Sequence, residues 1–491
     1  MPFSFSSSPV SSQRKTSLSH PLRWVTLLAL FSCLLASGCQ ALRPLPESLS
    51  IAPPLRDLQQ AELLIDQTYV TSSGERVSEQ QVFDEVLRLI AQARKLVLVD
   101  MFLFNDFAGK DSYRPLSAEL TTALVQAREQ YPQMPVVLIT DPFNTLYGGI
   151  RNGHLEQLQA AGVSVVMTDL SQLPASNPAW TGIWTLCCSY LGNSAEGGWL
   201  PNPVGEGKVT LRSYLHLINF RANHRKTLVV DEGDNWTGLV TSGNPHDASS
   251  RHSNNALRFS GAAALDLLAS EIAVLRFSSE IDTSDWPAAP APTATTDSQL
   301  QVLTEAAIRD ALLRVVDSAQ PGDELDLEVF YFSHRPLIEA LIRAQQRGVQ
   351  LRVLMDANRD AFGREKNGVP NRQVAWDLHE AGIDVRWCAT QGEQCHRKWL
   401  RLDRADGRSE LITGSANFTR RNLDDLNLET SVRLLAPAQQ QVMQAAREQF
   451  ERSWSNPNGE QHSLPYAKFA DHSRWRYGLY RFMEFSGVST F

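Results

Sequence analysis

The chain lacks most of the features that mark nucleic-acid-binding, zinc-binding and membrane-spanning proteins. Its 46 lysine and arginine residues are outnumbered by 54 acidic residues, for a net charge of −8, whereas a general nucleic-acid binder usually has a basic surplus. The six cysteines include no CxxC pair and no His/Cys cluster at zinc spacing. The apolar run at residues 24–35 is too short to cross a bilayer comfortably. We therefore predict no metal site, and nucleic acid is not the expected partner.

The first forty residues have the pattern of a secretory signal. A positive segment that includes Arg14 and Lys15 precedes the apolar run, as in signal peptides. The tetrapeptide 36–39 that follows, Ala-Ser-Gly-Cys, resembles the cleavage site of bacterial lipoproteins, with Ala36 where leucine is commoner. The resemblance implies a signal peptide over residues 1–38, a lipidated Cys39, and a lipid-anchored protein in the cell envelope, on the periplasmic face of the outer membrane. The alternative is cleavage nearby, or an uncleaved anchor.

Four cysteines remain beyond the predicted signal and lipidation site, namely Cys187, Cys188, Cys388 and Cys395. An exported protein can keep disulfide bonds, and four cysteines allow three pairings, among which the sequence does not choose. A Cys388–Cys395 bridge would brace the segment next to His396, and free buried thiols are the alternative.

The strongest positive feature is a tripeptide, His-Arg-Lys, that occurs twice, each time followed by an aspartate and then by a small-residue turn that ends in asparagine. The residues of the two copies are His224, Lys226, Asp231 and Asn244, and His396, Lys398, Asp403 and Asn417. Side chains alternate along a strand, so each histidine faces the same way as its lysine, while each aspartate faces away or lies at the strand end. The duplication predicts one active site built from two half-sites, and all eight residues are candidate catalytic residues.

Two histidines and two lysines around one pocket suit attack on a phosphodiester without a metal. One neutral histidine would attack phosphorus, and the opposing histidine would protonate the leaving group and then activate water or an alcohol. The lysines and asparagines would stabilise the charge on the phosphoryl oxygens. Glu429, which follows the second motif, is a candidate for orienting a histidine. Neither half contains a Ser-His-Asp system or a carboxylate cluster for Mg²⁺.

These motifs resemble the signature of the phospholipase D superfamily, HxKxxxxD followed by GSxN, present twice, and the resemblance covers about residues 80–450. It implies the superfamily's fold, its phosphohistidine mechanism, and His224 as the nucleophile. Thr241 departs from the first glycine of the turn, and the spacing from Asp403 to Gly414 is longer than usual, which a hairpin through residues 406–407 would explain. We align Asn-Leu-Glu at 427–429 with Asn-Asn-Ala at 254–256, so the first half lacks the glutamate and the two histidines have unequal roles.

The duplication extends to the flanking patterns of helices and strands, which predict an α/β fold. We expect two tandem phospholipase D-like α/β/α sandwich domains with mixed, mostly parallel sheets, related by a pseudo-twofold axis with one active site at their interface. The predicted divisions are a first domain at 57–284 with an insertion at about 170–217, a Pro/Ala-rich linker at 285–296, a second domain at 297–460, and an aromatic-basic extension at 461–491. We expect a monomer that is an internal pseudo-dimer.

Two segments are rich in aromatic residues, and each allows two interpretations. The insertion, which contains Trp180, Trp184, Tyr190 and Trp199, would either meet acyl chains or a membrane interface, or form a small satellite core under a loop. The aromatic-basic extension suits a membrane interface, and it equally suits a helix packed on the domain.

The predicted function is a metal-independent phosphodiesterase or phosphatidyltransferase, of the phospholipase D or cardiolipin synthase type, that acts on membrane phospholipids. The expected partners are a phospholipid substrate, an alcohol or second phospholipid as acceptor, and the membrane itself through the lipid anchor. No cofactor is predicted. The alternatives are a nuclease of the same superfamily and, further off, a non-catalytic envelope lipoprotein that binds anionic lipids.

Overall fold

The structure, a computed structural model, describes residues 43–107, 113–291, 296–361, 364–489 and 491, with residues 25, 28, 31 and 32. Cys39 and most of the predicted signal peptide lie outside these residues, so the lipoprotein signal stays a prediction. No helix in the described part of the chain is long and apolar enough to cross a membrane.

The elements alternate between strands and helices over most of the chain. The strands are β1 (Arg56–Asp57), β2 (Ala61–Ile65), β3 (Gln67–Val70), β4 (Arg76–Glu79), β5 (Val97–Met101), β6 (Val136–Thr140), β7 (Ser164–Met167), β8 (Leu200–Pro201), β9 (Lys208–Val209), β10 (Lys226–Glu232), β11 (Asn235–Thr241), β12 (Asn255–Ser260), β13 (Gln299–Thr304), β14 (Glu324–Val329), β15 (Gln350–Met355), β16 (Asp360–Ala361), β17 (Arg364–Glu365), β18 (Asp384–Cys388), β19 (Lys398–Asp403), β20 (Arg408–Gly414), β21 (Thr430–Pro437) and β22 (Ser463–Pro465). The helices are α1 (Val82–Gln92), α2 (Leu116–Gln130), α3 (Gly153–Ala160), α4 (Pro178–Cys187), α5 (Leu211–Leu217), α6 (Ala262–Ser278), α7 (Ala306–Ser318), α8 (Arg335–Arg347), α9 (Asn371–Glu380), α10 (Arg420–Leu423), α11 (Gln441–Ser455) and α12 (Arg474–Ser486).

Two large sheets repeat one strand pattern, which confirms the prediction of a mixed α/β fold. The first has the order β2-β12-β11-β10-β5-β6-β7, and the second has the order β1-β13-β21-β20-β19-β14-β15-β18-β22. Each motif strand, β10 or β19, lies in the middle of its sheet. The tandem order has one exception, because β1 comes before the first sheet in sequence yet pairs with β13 of the second.

The prediction that the sheets are mostly parallel is wrong. The parallel pairs are β5–β6 and β6–β7 in the first sheet and β14–β15 and β15–β18 in the second, and the other pairs of both sheets are antiparallel. The motif strands continue into hairpins, β10–β11 and β19–β20, and a short hairpin forces antiparallel pairing. Gly407, with φ of 84°, lies in the second hairpin, where the longer spacing after Asp403 was predicted to be accommodated.

The two halves share part of their hydrophobic core. One buried cluster contains Val240 and Leu257 from the first sheet together with Leu411 and Val432 from the second. Because such interiors are close-packed, they resist relative movement. The sheets therefore hold the two motif strands in a fixed relation to each other.

The insertion forms α4, β8, β9 and α5, and some of its aromatic residues are buried while others are exposed. Trp184 is buried and stacks on His216, with 5.0 Å between ring centroids, and His216 stacks on Tyr147 at 4.1 Å. Tyr190 and Trp199 are exposed. The insertion thus has a satellite core and also an aromatic surface.

Candidate active site

Backbone hydrogen bonds join the two motifs across the boundary between the halves. The His224 N–H donates to the Leu428 carbonyl at 2.9 Å, and the His396 N–H donates to the Ser253 carbonyl at 2.9 Å. Short parallel bridges, Asn223 with Leu428 and Ser253 with Cys395, accompany these bonds. Each histidine is therefore fixed against the segment that follows the other half's turn, and the two half-sites form one site.

Each histidine ring is oriented by a side chain from the opposite half. His224 Nδ1 lies 2.8 Å from Glu429 Oε1, and His396 Nδ1 lies 3.0 Å from Asn254 Oδ1. An ionised carboxylate only accepts hydrogen bonds, so Nδ1 of His224 donates. The Asn254 amide nitrogen donates to the His252 carbonyl at 3.3 Å, which turns Oδ1 towards His396 as an acceptor. Both rings thus carry hydrogen on Nδ1, and Nε2 is left for chemistry.

The structural counterpart of Glu429 is Asn254, so the predicted alignment of Glu429 with Ala256 is wrong by two positions. Ser415 Oγ donates to the Glu429 carboxylate, and in the first half Ser242 Oγ donates to Asn254 Oδ1 at 3.2 Å. Ala256 lies within β12 and pairs with Thr241. The first half does lack the glutamate, as predicted, but an amide stands in its place.

The lysines and a pair of phenylalanines surround the histidines in the same way in both halves. Lys226 Nζ donates to the His224 carbonyl at 2.8 Å, and Lys398 Nζ donates to the His396 carbonyl at 2.6 Å. The rings of His224 and Phe102 lie 4.9 Å apart, and those of His396 and Phe330 lie 5.0 Å apart. Each lysine ammonium also lies over its phenylalanine ring, at 5.1 and 5.5 Å, a favourable arrangement. The aromatic strand ends were visible in the sequence, but this role was not inferred from them.

The predicted asparagines lie in the turns that follow β11 and β20. Asn244 Oδ1 accepts the Leu103 N–H at 3.3 Å. Asn417 Oδ1 is buried and has no hydrogen-bond partner within the described ranges. A buried amide oxygen without a partner is costly, so Asn417 Oδ1 is placed to accept a hydrogen bond from a bound ligand.

The two aspartates of the motifs are not part of this cluster. Asp231 lies five residues beyond Lys226, roughly 17 Å along the strand. Its carboxylate accepts the backbone N–H groups of Lys95 at 2.6 Å and Leu96 at 3.0 Å. Asp403 accepts a hydrogen bond from Ser409 Oγ at 2.6 Å. The structure therefore assigns these aspartates to the far ends of the motif strands, where they stabilise turns, and not to the catalytic group in which we had placed them.

Burial and crowding of cationic groups control the electrostatics of the site. Burial lowers the pKa of His224 to about 4, and Lys226 opposes its protonation while Glu429 favours it. Burial also lowers the pKa of Lys226 to about 7. The pKa values of His396 and Lys398 lie well below their usual ranges, first because of burial and then because of the neighbouring cationic groups. An anion bound among these four basic side chains would favour their protonated forms, so the site favours an anionic ligand.

The middle arginines of the two tripeptides were missed as contributors to the site. Both are buried, and each bonds across the halves: Arg225 pairs with Glu305 at 2.7 Å, and Arg397 donates to the Asp66 carbonyl at 3.1 Å. Glu305 also accepts the Glu429 N–H at 3.1 Å. The sequence signal was the repetition of arginine itself, in the strand phase opposite to histidine and lysine.

The cysteines form two disulfides of different kinds. Cys388 bonds to Cys395, and the Cys395 N–H donates to Asp356 at 2.9 Å, so this bridge braces the approach to His396. Cys187 bonds to its neighbour Cys188 at the end of α4. Within the described ranges, one cluster has metal-ligand geometry, Glu328 with Cys388 and Cys395, and both of its sulfurs are in the disulfide.

Three comparisons with known proteins agree with this geometry. Residues 312–454 match the family model described as a cardiolipin synthase, PLD-like domain. The human mitochondrial cardiolipin hydrolase is 32% identical over 147 residues, which are 30% of this chain and 51% of that protein, so the match spans about half of the relative's length. The crystal structure of the phosphatidylserine synthase of Haemophilus influenzae Rd KW20 superimposes with a TM-score of 0.56 at 13% identity, over 92% of this chain and 97% of that one. At that identity the likeness concerns the fold alone. Together these matches support membership of the chain in the phospholipase D superfamily.

Proposed function

We propose that this protein is a phosphodiesterase or phosphatidyltransferase that cleaves membrane phospholipids through a phosphohistidine intermediate, with no metal in the chemical step. The observation that carries the proposal is the pair of motif histidines whose Nδ1 atoms are held by unlike partners, Glu429 and Asn254. Two histidines with free Nε2 atoms and different partners are what a double displacement at phosphorus requires.

In this proposal His224 is the nucleophile and His396 is the general acid. The carboxylate of Glu429 supports the positive charge that His224 acquires when Nε2 bonds to phosphorus, much as an aspartate supports the base of a catalytic triad. Asn254 gives His396 no such charge, and Lys398 lowers its pKa further. A weaker hold on its proton makes His396 the better acid.

The reaction has two steps. In the first, the lone pair of His224 Nε2 attacks phosphorus, the bond from phosphorus to the leaving oxygen breaks, and that oxygen takes the proton from His396 Nε2. In the second, neutral His396 removes a proton from water or an alcohol, whose oxygen attacks phosphorus as the bond to His224 breaks. Lys226 and Lys398 would balance the charge on the phosphoryl oxygens in both steps, and the N–H groups of the Asn417 amide would donate hydrogen bonds to them.

A phospholipid is favoured as the substrate on two grounds. The names of the similar proteins refer to cardiolipin synthesis, cardiolipin hydrolysis and phosphatidylserine synthesis. The net charge of −8 disfavours a polyanion such as DNA. Water and an alcohol are both suitable second nucleophiles, so the proposal covers hydrolysis and transfer.

The test uses the full-length protein in mixed micelles with labelled phosphatidylglycerol and a chelator, with and without added glycerol. Release of head group supports hydrolysis, and a new phospholipid supports transfer. Both products should vanish in His224→Ala and in His396→Ala and persist in His472→Ala, a control at an exposed histidine. Turnover that is absent, or that survives both motif substitutions, contradicts the proposal, and cleavage of single-stranded DNA alone would favour the nuclease.

We also propose that a lipid on Cys39 anchors the protein at the periplasmic face of the outer membrane. The proposal rests on the sequence pattern of residues 13–40. Labelled fatty acid should be incorporated into the full chain and lost in Cys39→Ala, whereas incorporation that persists in this variant would contradict the anchor.

A further inference from the structure

The C-terminal helix α12 exposes a stripe of aromatic side chains. Trp475 is 76% exposed, Phe482 is 60% exposed and Phe485 is 85% exposed. Positions 475, 478, 482 and 485 follow helical spacing and lie along one face. Gly478, between the rings, has open space where a Cβ would be. Large apolar side chains exposed in a row mark a binding surface more often than scattered ones do.

The opposite face of α12 is fixed to the second domain. Tyr480 is completely buried, and its hydroxyl donates to the Ser333 carbonyl at 3.2 Å. Tyr477 and Met483 pack against the core of that half. The interpretation of the extension as a helix packed on the domain is thus confirmed, and the helix also presents an aromatic face to the outside.

The end of α12 is tied to the active site through the residues that follow the second motif. Arg420 donates to the Phe485 carbonyl at 2.9 Å, and Arg421 donates to the Phe491 carbonyl at 2.9 Å. These arginines come three and four residues after Asn417. The Phe491 ring lies 6.3 Å from that of Tyr331, which lies 4.2 Å from Phe330, the ring that packs on His396.

The insertion brings a second set of exposed apolar side chains to the same region. Gly487, just after α12, is so close to the Ser176 carbonyl that an added Cβ would lie 2.5 Å from it, and Ser176 precedes α4. In α4 and the loop after it, Ile183, Leu186, Tyr190 and Trp199 are 41%, 47%, 81% and 65% exposed. The two elements that carry these side chains thus approach each other where α12 ends and α4 begins.

The charges around the α12 stripe indicate the kind of partner. Arg474 and Arg481 are exposed, and neither forms an ion pair with any residue that the structure describes. The acids of the segment are engaged elsewhere: Glu484 accepts a hydrogen bond from Ser333, and Asp471 pairs with Arg476 at 2.9 Å. Aromatic rings beside arginines that form no such ion pair suit an apolar layer topped by anionic groups.

We propose that α12 and the exposed part of the insertion form one membrane-docking surface, which holds the mouth of the active site against a bilayer rich in anionic phospholipid. The proposal rests on the proposed function, because a membrane surface beside the site is of use when the substrate is a lipid. Trp475, Phe482 and Phe485 enter the interface, and Arg474 and Arg481 contact lipid phosphates. Docking by this surface is separate from any lipid anchor, which would tether the chain without orienting it.

The direct test is photo-crosslinking of the full-length protein in vesicles of phosphatidylglycerol and phosphatidylcholine that carry a clickable lipid. The photoreactive p-benzoylphenylalanine is placed at Phe482, at Phe485, or at the exposed Gln444 of α11 as control. Lipid adducts should form at the first two positions at least fivefold more than at the third. Adducts to a second copy of the chain or to another protein, or no difference from the control, overturn the proposal. The same measurement with His224→Ala separates docking from catalysis, since docking needs no turnover.

A kinetic test separates docking from folding. The double variant Phe482→Ser/Phe485→Ser should lose about tenfold in turnover of vesicle phospholipid and should keep its activity on dissolved bis(p-nitrophenyl) phosphate. Arg474→Glu/Arg481→Glu should lose activity on anionic vesicles more than on neutral ones. An equal loss on the dissolved diester contradicts docking, whereas inactivity of the unsubstituted protein on both substrates would contradict the proposed function instead.

Discussion

The two halves of the active site place their histidines in the same way but orient them with different side chains. Both histidines are bonded through the backbone to the opposite half, both carry a lysine on the carbonyl, and both pack on a phenylalanine. His224, however, is held by a carboxylate and His396 by an amide. A duplicated fold supplied two equal bases, and one exchanged side chain makes them unequal. The two half-sites therefore differ in the side chain that orients the histidine, whereas their motif residues are the same.

The largest expected effect is the loss of turnover when either motif histidine is replaced, and the step that is lost should differ between the two variants. Both His224→Ala and His396→Ala should lose roughly 10³-fold or more of phospholipid turnover. With a p-nitrophenyl diester, whose leaving group needs no proton, His396→Ala should still release a stoichiometric burst of nitrophenol, because attack by His224 remains. Rapid-quench or stopped-flow absorbance measures the burst. A burst in His224→Ala and none in His396→Ala would reverse the assignment.

The next prediction compares the two orienting partners. Glu429→Gln keeps the shape but removes the charge that supports the phosphohistidine, and should lower kcat by about 10²-fold. Asn254→Ala removes only a neutral acceptor and should cost about tenfold. Steady-state kinetics of both variants, with circular dichroism to confirm folding, makes the comparison. Equal losses would mean that the two half-sites are equivalent after all.

The sequence carried the motifs and much of the fold, but not the pairing between the halves. The alternation along residues 224–226 and 396–398 predicted the shared face of each histidine and lysine, and the same alternation indicated that Asp231 and Asp403 point elsewhere. Glu429 is 205 residues from its partner His224, and no local pattern predicts such a contact. The alignment of Glu429 with Ala256 is wrong for the same reason. Asn254 is recognised as the counterpart of Glu429 only because each side chain accepts a hydrogen bond from the serine of its own turn.

The direction of strand pairing could not be predicted fully from local sequence patterns either. Alternating strands and helices favoured parallel pairing, and that holds for β5–β6–β7 and β14–β15–β18. The motif strands instead belong to hairpin-linked runs, which are antiparallel. Arg225 and Arg397 would have been read as exposed polar residues on a strand, and only the packed interface shows them buried against Glu305 and Glu328.

The third prediction concerns a variant in which the two half-sites are more alike. Asn254→Asp places a carboxylate beside His396, which should raise its pKa and keep it protonated to higher pH. The alkaline limb of the kcat profile should then move upward by about one pH unit, with a severalfold lower maximum because a stronger base is a weaker acid. The pH profiles of both proteins on the same phospholipid make the measurement. A downward shift, or none, would contradict the assignment of His396 as the acid.

The smallest effect on catalysis is expected away from the histidines. Asp231→Asn weakens the hydrogen bonds to Lys95 and Leu96 and should cost about 1–3 kcal/mol of unfolding free energy. Activity per folded molecule should change by less than about threefold. Denaturant unfolding and kinetics on the same preparation separate the two quantities, and a loss of activity as large as that of His224→Ala would return Asp231 to the catalytic group.

The central claim, that His224 alone receives the phosphoryl group, can be tested by trapping the intermediate. His396→Ala protein is mixed with a ³²P-labelled p-nitrophenyl diester, quenched in alkali, under which phosphohistidine survives, and digested for mass spectrometry. The predicted result is a stoichiometric adduct on the peptide that contains His224, and no adduct in the double variant His224→Ala/His396→Ala. An adduct on any other residue, or a burst of nitrophenol without an adduct, would contradict the mechanism.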